Sequence, residues 1–193
     1  MNDILEKVKV FADHAHGDQR RKYSNERYIF HPMRVMENCR DYTDDVAVLA
    51  AALLHDVLED TTITKEEMHV FLHQVMPASM ADRTLALVVE LTDVYTKKNY
   101  PELNRRARKM READRLSKIS GDAQTVKYAD IIDNVTNIFV NDPDFAVVFI
   151  HEGRSALRKM TAGDEELFDK AVKMIEDCLD LMHEHEPLNK LRQ

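Results

Sequence analysis

Val46 to Leu54 is an unbroken run of Ala, Val and Leu, and it leads directly into His55-Asp56-Val57-Leu58-Glu59-Asp60. A segment apolar around its whole circumference has to be buried from every side, so the rest of the chain must wrap it. Ala and Leu favour helix, neither Gly nor Pro interrupts, and Asp44 or Asp45 after Thr43 supplies an N-cap. The pattern predicts one continuous central helix reaching Thr61, with His55 and Glu59 on one face and Asp56 and Asp60 stacked on the next. Burying such groups costs several kcal/mol each unless they are paired or bind a metal. Acid and imidazole crowded onto the end of a core helix therefore indicate a site.

A His-Asp dipeptide means little by itself in a chain with nine histidines. Its company matters: His31-Pro32 lies upstream, and Tyr128-Ala129-Asp130 followed by Asn134 lies downstream. His31, His55, Asp56 and Asp130 make a mixed nitrogen and oxygen set, too hard for a thiolate-type zinc site and suited to Mn²⁺ or Fe²⁺. An octahedral ion with four protein ligands keeps two positions for water and a substrate oxygen, and it can activate that water and polarise a phosphoryl group. Glu59 and Asp60 are left at the rim to orient or deprotonate the water, or to handle leaving-group protons. Phosphate-ester hydrolysis is the reaction class that this set suits.

The 193 residues, 44% apolar and 32% charged, fit one domain with a real core. That domain is expected to span residues 1–186, with a frayed tail over 187–193. Cys39 and Cys178 lack CxxC spacing, which excludes a disulfide framework or zinc ribbon and points to a reducing, cytoplasmic setting. Neither a signal-peptide core nor an apolar run of about eighteen residues is present, so secretion and membrane insertion are not expected. A formal net charge of −8 argues against general nucleic-acid binding. An anionic ligand would need a local basic patch, and two exist: Arg20-Arg21-Lys22, and residues 97–111, where seven cations face one acid.

The remaining periodicity is helical throughout. It predicts helices over 2–16 with Gly17 as stop, from Pro32 through Cys39 with His31 just before the start, over 65–75 behind a Thr64–Glu67 capping box, and over 81–91. A helix from Pro101 to Ser120 is expected to stop at Gly121, and Asp122 to cap another over 123–139. Pro143 opens one more, and 165–185 is the last. Asp130 and Asn134, four apart, project from one face. No strand, repeat or linker is found, so the class is all-α.

The order His31, His55-Asp56, Asp130 resembles the HD metal-dependent phosphohydrolase superfamily. The stretch His16-Gly17-Asp18-Gln19-Arg20-Arg21-Lys22-Tyr23-Ser24 with Glu26, Tyr28 and His31-Pro32, followed by Ala51 to Thr61, is similar to the hydrolase domain of the RelA/SpoT alarmone enzymes. It is most similar to the small, stand-alone alarmone hydrolases, over about residues 1–140. The resemblance implies a single-domain helical HD bundle holding one Mn²⁺ through His31, His55, Asp56 and Asp130, with Glu59 and Asp60 as the catalytic acids. It implies that Asn134 contacts the nucleoside and that Ser24 and Tyr28 lie near base and ribose. Lys22 with Arg20 and Arg21, together with Asn104, Arg105, Arg108 and Lys109, would meet the phosphates. The implied reaction removes the 3′-pyrophosphate of (p)ppGpp, giving GDP or GTP and pyrophosphate, with no room for a synthetase module. The alternatives are an NADPH 2′-phosphatase, another HD nucleotidase, or a non-enzymatic nucleotide-binding or antitoxin-type partner. Two departures stand out: Asn25-Glu26-Arg27 replaces a common Gly-Glu-Pro, and Tyr128 replaces the usual Leu before Ala-Asp.

Overall fold

The computed structural model describes residues 2–22 and 24–190, the side chains of residues 2 and 183–190 excepted. It is all-α: α1 (Asn2–His16), α2 (Phe30–Arg40), α3 (Val46–Leu54), α4 (Val57–Asp60), α5 (Lys65–Val75), α6 (Ala78–Leu91), α7 (Arg105–Leu116), α8 (Gly121–Asn141), α9 (Pro143–Leu157) and α10 (Glu165–Lys190). Among the described residues a single antiparallel bridge, Arg20 to Arg27, closes the loop after α1. Among the described residues no helix is long and apolar enough to cross a membrane.

The apolar run does become the centre. Every residue of α3 is buried, and the helix lies against α1, α2, α6 and α8. Full burial of side chains such as Leu53 and Leu54 stabilises by about 1.5–3 kcal/mol each. Asp45 caps α3 by accepting from the Ala47 amide at 2.9 Å, and the expected capping box of Thr64 and Glu67 starts α5. Gly17, at φ +53°, ends α1 in the left-handed region.

Several expected boundaries need correction. The central helix is not continuous to Thr61: α3 ends at Leu54, His55-Asp56 form a turn, and α4 begins at Val57. The His55 ring engages the carbonyl of Ala52 at 2.8 Å, and the ladder resumes when the Asp60 amide donates to Asp56 at 2.9 Å. Helix α2 starts at Phe30, which places His31 in its first turn. The basic helix starts at Arg105 rather than Pro101, because Asn104 is its N-cap, accepting from the Ala107 amide at 2.9 Å; it ends at Leu116. Gly121 opens α8 instead of stopping the preceding helix, with Ser120 as cap in place of Asp122. The reason is close approach, since a Cβ at Gly121 would lie 2.3 Å from the carbonyl oxygen of Ala162.

Helices α9 and α10 pack on α8. Tyr128 is fully buried and donates to the Met160 carbonyl at 2.8 Å, while the Gly163 amide approaches the same phenol oxygen at 3.3 Å. The boundary expected at residue 187 falls where side chains are not described, and residues 191–193 lie outside the described residues.

Candidate metal centre and cleft

Three elements bring the expected ligand set together. His31 comes from the first turn of α2, His55 and Asp56 from the turn after α3, and Asp130 from the middle of α8. His31 Nε2 lies 3.4 Å from Asp56 Oδ2 and 3.2 Å from Asp130 Oδ1; His55 Nε2 lies 3.1 Å and 3.7 Å from the same atoms. Both rings are buried, at 1% and 2% exposure. Each Nδ1 is already engaged, by Asp133 Oδ2 at 2.7 Å for His31 and by the Ala52 carbonyl at 2.8 Å for His55. Those contacts turn both Nε2 atoms inward, the usual arrangement for metal-binding histidines. His55 Nε2 is buried without a hydrogen-bond partner.

The electrostatics favour positive charge at this spot. Burial opposes protonation of His31, but hydrogen bonds to Asp130, Asp133 and Asp56 outweigh it and push it up to about 9. His55 is also raised well above its ordinary value against its burial, chiefly by Asp56 and Asp130. Asp56 and Asp130 are held well below the usual carboxylate range despite burial, Asp56 mainly by His55 and Asp130 mainly by Lys127. Two inward imidazole nitrogens, one without a hydrogen-bond partner, and two buried carboxylates fit a divalent cation.

A cleft of about 220 Å³ opens beside this centre and is lined by Tyr28, Asp56, Glu59, Asp60, Asp93, Lys109, Lys127, Asp130 and Asn134, and also by Glu112, Phe149 and Glu152. The Tyr28 hydroxyl sits 2.6 Å from Asp56 Oδ2 and 2.8 Å from Asp60 Oδ2, so its one proton serves one carboxylate at a time. Burial and then those two charges push Tyr28 well above its ordinary value, keeping it a donor. Burial in the cleft and then the neighbouring Asp93 carboxylate push Glu59 up to about 7, against Lys127. Glu59 also accepts from the Asp93 amide at 3.1 Å. Asp60 is raised by burial and by Asp56. Lys127 lies 2.8 Å from Asp130 Oδ2 and stays charged, because Asp130 and Asp93 outweigh its burial.

Of the residues singled out from the sequence, the four ligands, Glu59, Asp60, Tyr28, Lys109 and Asn134 meet at the centre and cleft. Asn134 donates to Asp130 Oδ1 at 2.5 Å and accepts from buried Arg21 at 3.0 Å. The others are not among the cleft-lining residues. Arg20 donates to the Asn25 carbonyl at 2.9 Å, and Ser24 Oγ is buried without a hydrogen-bond partner. Asn104 caps α7, and Arg108 folds back onto the Leu103 carbonyl. Lys22 and Arg105 sit 5.7 and 5.0 Å from the Phe145 ring centre, and Arg105 also grips Glu152 through two contacts of 2.7 Å. The two basic segments therefore meet at the edge of α9. Sequence reasoning missed Asp93, Lys127 and Asp133. Helical spacing from Asp130 could have found Lys127 and Asp133, three residues either side; Asp93 carries no such signal.

A mouse protein, guanosine-3′,5′-bis(diphosphate) 3′-pyrophosphohydrolase MESH1, is 36% identical over 132 residues, covering 66% of this chain and 65% of the relative. The GTP pyrophosphokinase rsh of Brucella ovis is 43% identical over 65 residues, which are 34% of this chain and 8% of that protein, so the chain spans under a tenth of such bacterial relatives. The solved structure described as "A metazoan ortholog of SpoT hydrolyzes ppGpp and plays a role in starvation responses" superposes with a TM-score of 0.74 at 24% identity, over 90% of this chain and 94% of that one; at that identity it speaks to the fold. The HD domain model matches residues 9–146, the greater part of the chain and a span that includes all four expected ligand positions, and the chain belongs to the HD domain family.

Proposed function

We propose that this chain hydrolyses the 3′-pyrophosphate of (p)ppGpp with the help of one divalent ion, Mn²⁺ by preference, held by His31, His55, Asp56 and Asp130. The observation that carries the proposal is the pair of buried imidazoles turned Nε2-inward beside two carboxylates, opening onto a cleft with its own acids and cations. The name of the mouse relative supplies the substrate class. The ion, when bound, contributes Lewis acidity toward water and a phosphoryl oxygen.

Everything else falls to the protein. Glu59, pushed up to about 7, is poised to take a proton from water near neutral pH. Asp60 is steadied by the Tyr28 hydroxyl and stands ready for the 3′ oxygen. Water adds to phosphorus, the bond from phosphorus to the ribose 3′ oxygen breaks, that oxygen is protonated, and pyrophosphate leaves. Lys127 and Lys109 bring positive charge to an acidic protein where the phosphates must lie. Asn134, held by Arg21, faces the nucleoside, while Lys22, Arg20, Ser24, Arg105 and Arg108 form the outer approach with Asn104 shaping the start of α7. The unpaired, buried Cys39 and Cys178 suit a reducing cytoplasmic compartment.

The test is product analysis of purified protein with ppGpp, NADPH and a deoxynucleoside monophosphate, each with Mn²⁺. GDP and pyrophosphate from ppGpp are expected. Phosphate release from NADPH alone, or no turnover of ppGpp, would overturn the proposal.

A further inference from the structure

A second group of metal-ligating side chains lies outside the cleft. His69 and His73 stand one turn apart on α5, and Asp82 reaches them from α6. His73 Nε2 is 2.8 Å and His69 Nε2 is 3.6 Å from the same atom, Asp82 Oδ1, and the two rings tilt toward each other with centres 4.2 Å apart. The three ligand atoms all lie within 4.8 Å of one another. Zinc held tetrahedrally at its usual bond lengths keeps its ligand atoms roughly 3.3 Å apart, a value that the two measured distances bracket. A histidine pair at i and i+4 is also the spacing by which one helix face grips zinc.

We propose that His69, His73 and Asp82 form a Zn²⁺ site that clamps α5 to α6, with the fourth position left to water. Two neutral imidazoles and one carboxylate suit Zn²⁺ better than Mg²⁺ or Ca²⁺, which favour all-oxygen sets. Side-chain exposures of 49%, 31% and 63% leave the ligands open to an ion from solvent without unfolding either helix. The clamp also bears on the core, because α6 packs directly on α3. Binding to the folded state alone stabilises it by an amount that grows logarithmically with free ion above the dissociation constant.

The experiment strips the full chain of metal and titrates it with Zn²⁺, following stoichiometry by calorimetry and the thermal midpoint in parallel, for wild type, His69→Ala/His73→Ala and Asp82→Asn. These side chains are exposed, and circular dichroism verifies the fold of each variant. Wild type should bind one more Zn²⁺ than the double variant. At free zinc tenfold above the dissociation constant, its midpoint should rise by about 3–6 °C more than that of the double variant. Asp82→Asn should bind the extra ion more weakly and lose most of that added rise. Equal stoichiometry and equal midpoint shifts in wild type and the double variant would overturn the site. Undiminished affinity in Asp82→Asn would overturn the clamp.

Discussion

His31 Nδ1 and Asp133 Oδ2 lie 2.7 Å apart, joining the first turn of α2 to α8 one turn beyond Asp130. Asp133 is itself held by Arg34 and lies 3.6 Å from Arg21. This carboxylate fixes which nitrogen of His31 faces the centre. Asp133→Asn should weaken metal affinity by roughly 10–100-fold with the ligand set intact. Metal titration checks this, and an unchanged affinity would mean that packing alone orients the ring.

Glu59→Gln and Asp60→Asn should each lower kcat by about 10²-fold or more while stoichiometric metal is retained. Loss of the metal in Glu59→Gln would make that residue a ligand instead. Because a base works in its ionised form, activity should climb as pH rises through about 7, the value to which burial and Asp93 push Glu59. Asp93→Asn removes a repelling charge and should move that limb to lower pH in a pH–rate profile.

Lys109 lines the cleft 3.2 Å from Asp93, whereas Arg108 is spent on the Leu103 carbonyl. Lys109→Ala should raise KM for ppGpp about tenfold, equivalent to ~1.4 kcal/mol, with less effect on kcat. Arg108→Ala should raise it less. Steady-state kinetics at low and high salt test the ranking, and the rise should shrink with salt.

Arg83 bridges Asp45 and Asp122 at 2.5 and 2.6 Å, linking the cap of α3 to the first turn of α8 through α6. Although partial burial works the other way, Arg83 and the Ala47 amide lower Asp45 below its ordinary value. A carboxylate with a depressed folded value contributes stability above the unfolded value of about 3.9, and that contribution is lost as pH falls through the folded one. Asp45→Ala should cost about 0.5–2 kcal/mol near pH 7, mostly from the lost cap, and progressively less below about pH 4. Thermal midpoints measured across pH give the comparison.

Tyr128 ties α8 to the segment before α10, and a Cβ at Gly163 would lie 2.5 Å from its ring. Tyr128→Phe leaves the Met160 carbonyl without this donor, costing about 1–3 kcal/mol. Gly163→Ala forces the ring or the loop to move. Both should lower the thermal midpoint by several degrees, and an unchanged midpoint in Gly163→Ala would show that the loop yields freely.

The two departures from the alarmone-hydrolase pattern have physical explanations. Asn25 sits at φ +56°, the left-handed region that Gly adopts without strain and that Asn tolerates better than most residues, so the turn survives the exchange. The phenol at 128 gains a buried partner in Met160, which a leucine could not use. Both bear out a chain that keeps the HD arrangement while altering what surrounds it.

The all-α class, the central position of Val46–Leu54 and the choice of His31, His55-Asp56 and Asp130 as side chains that converge were legible without coordinates. Apolar continuity demands burial, and ionisable groups at the end of a buried run demand a reason. The break after Leu54 was not legible, because it depends on the His55 ring turning back to Ala52 rather than on propensity. Nor was the start of the basic helix, where Asn104 serves as the N-cap. Glu59 owes its raised value to burial and then to Asp93, thirty-four residues away along the chain, and His31 owes its orientation to Asp133 across a helix interface. Local sequence determines which helices form and which chemistry they carry. Only the packing of α8 against α2 and α3 decides which carboxylate meets which imidazole, because that choice depends on distance in space and not along the chain.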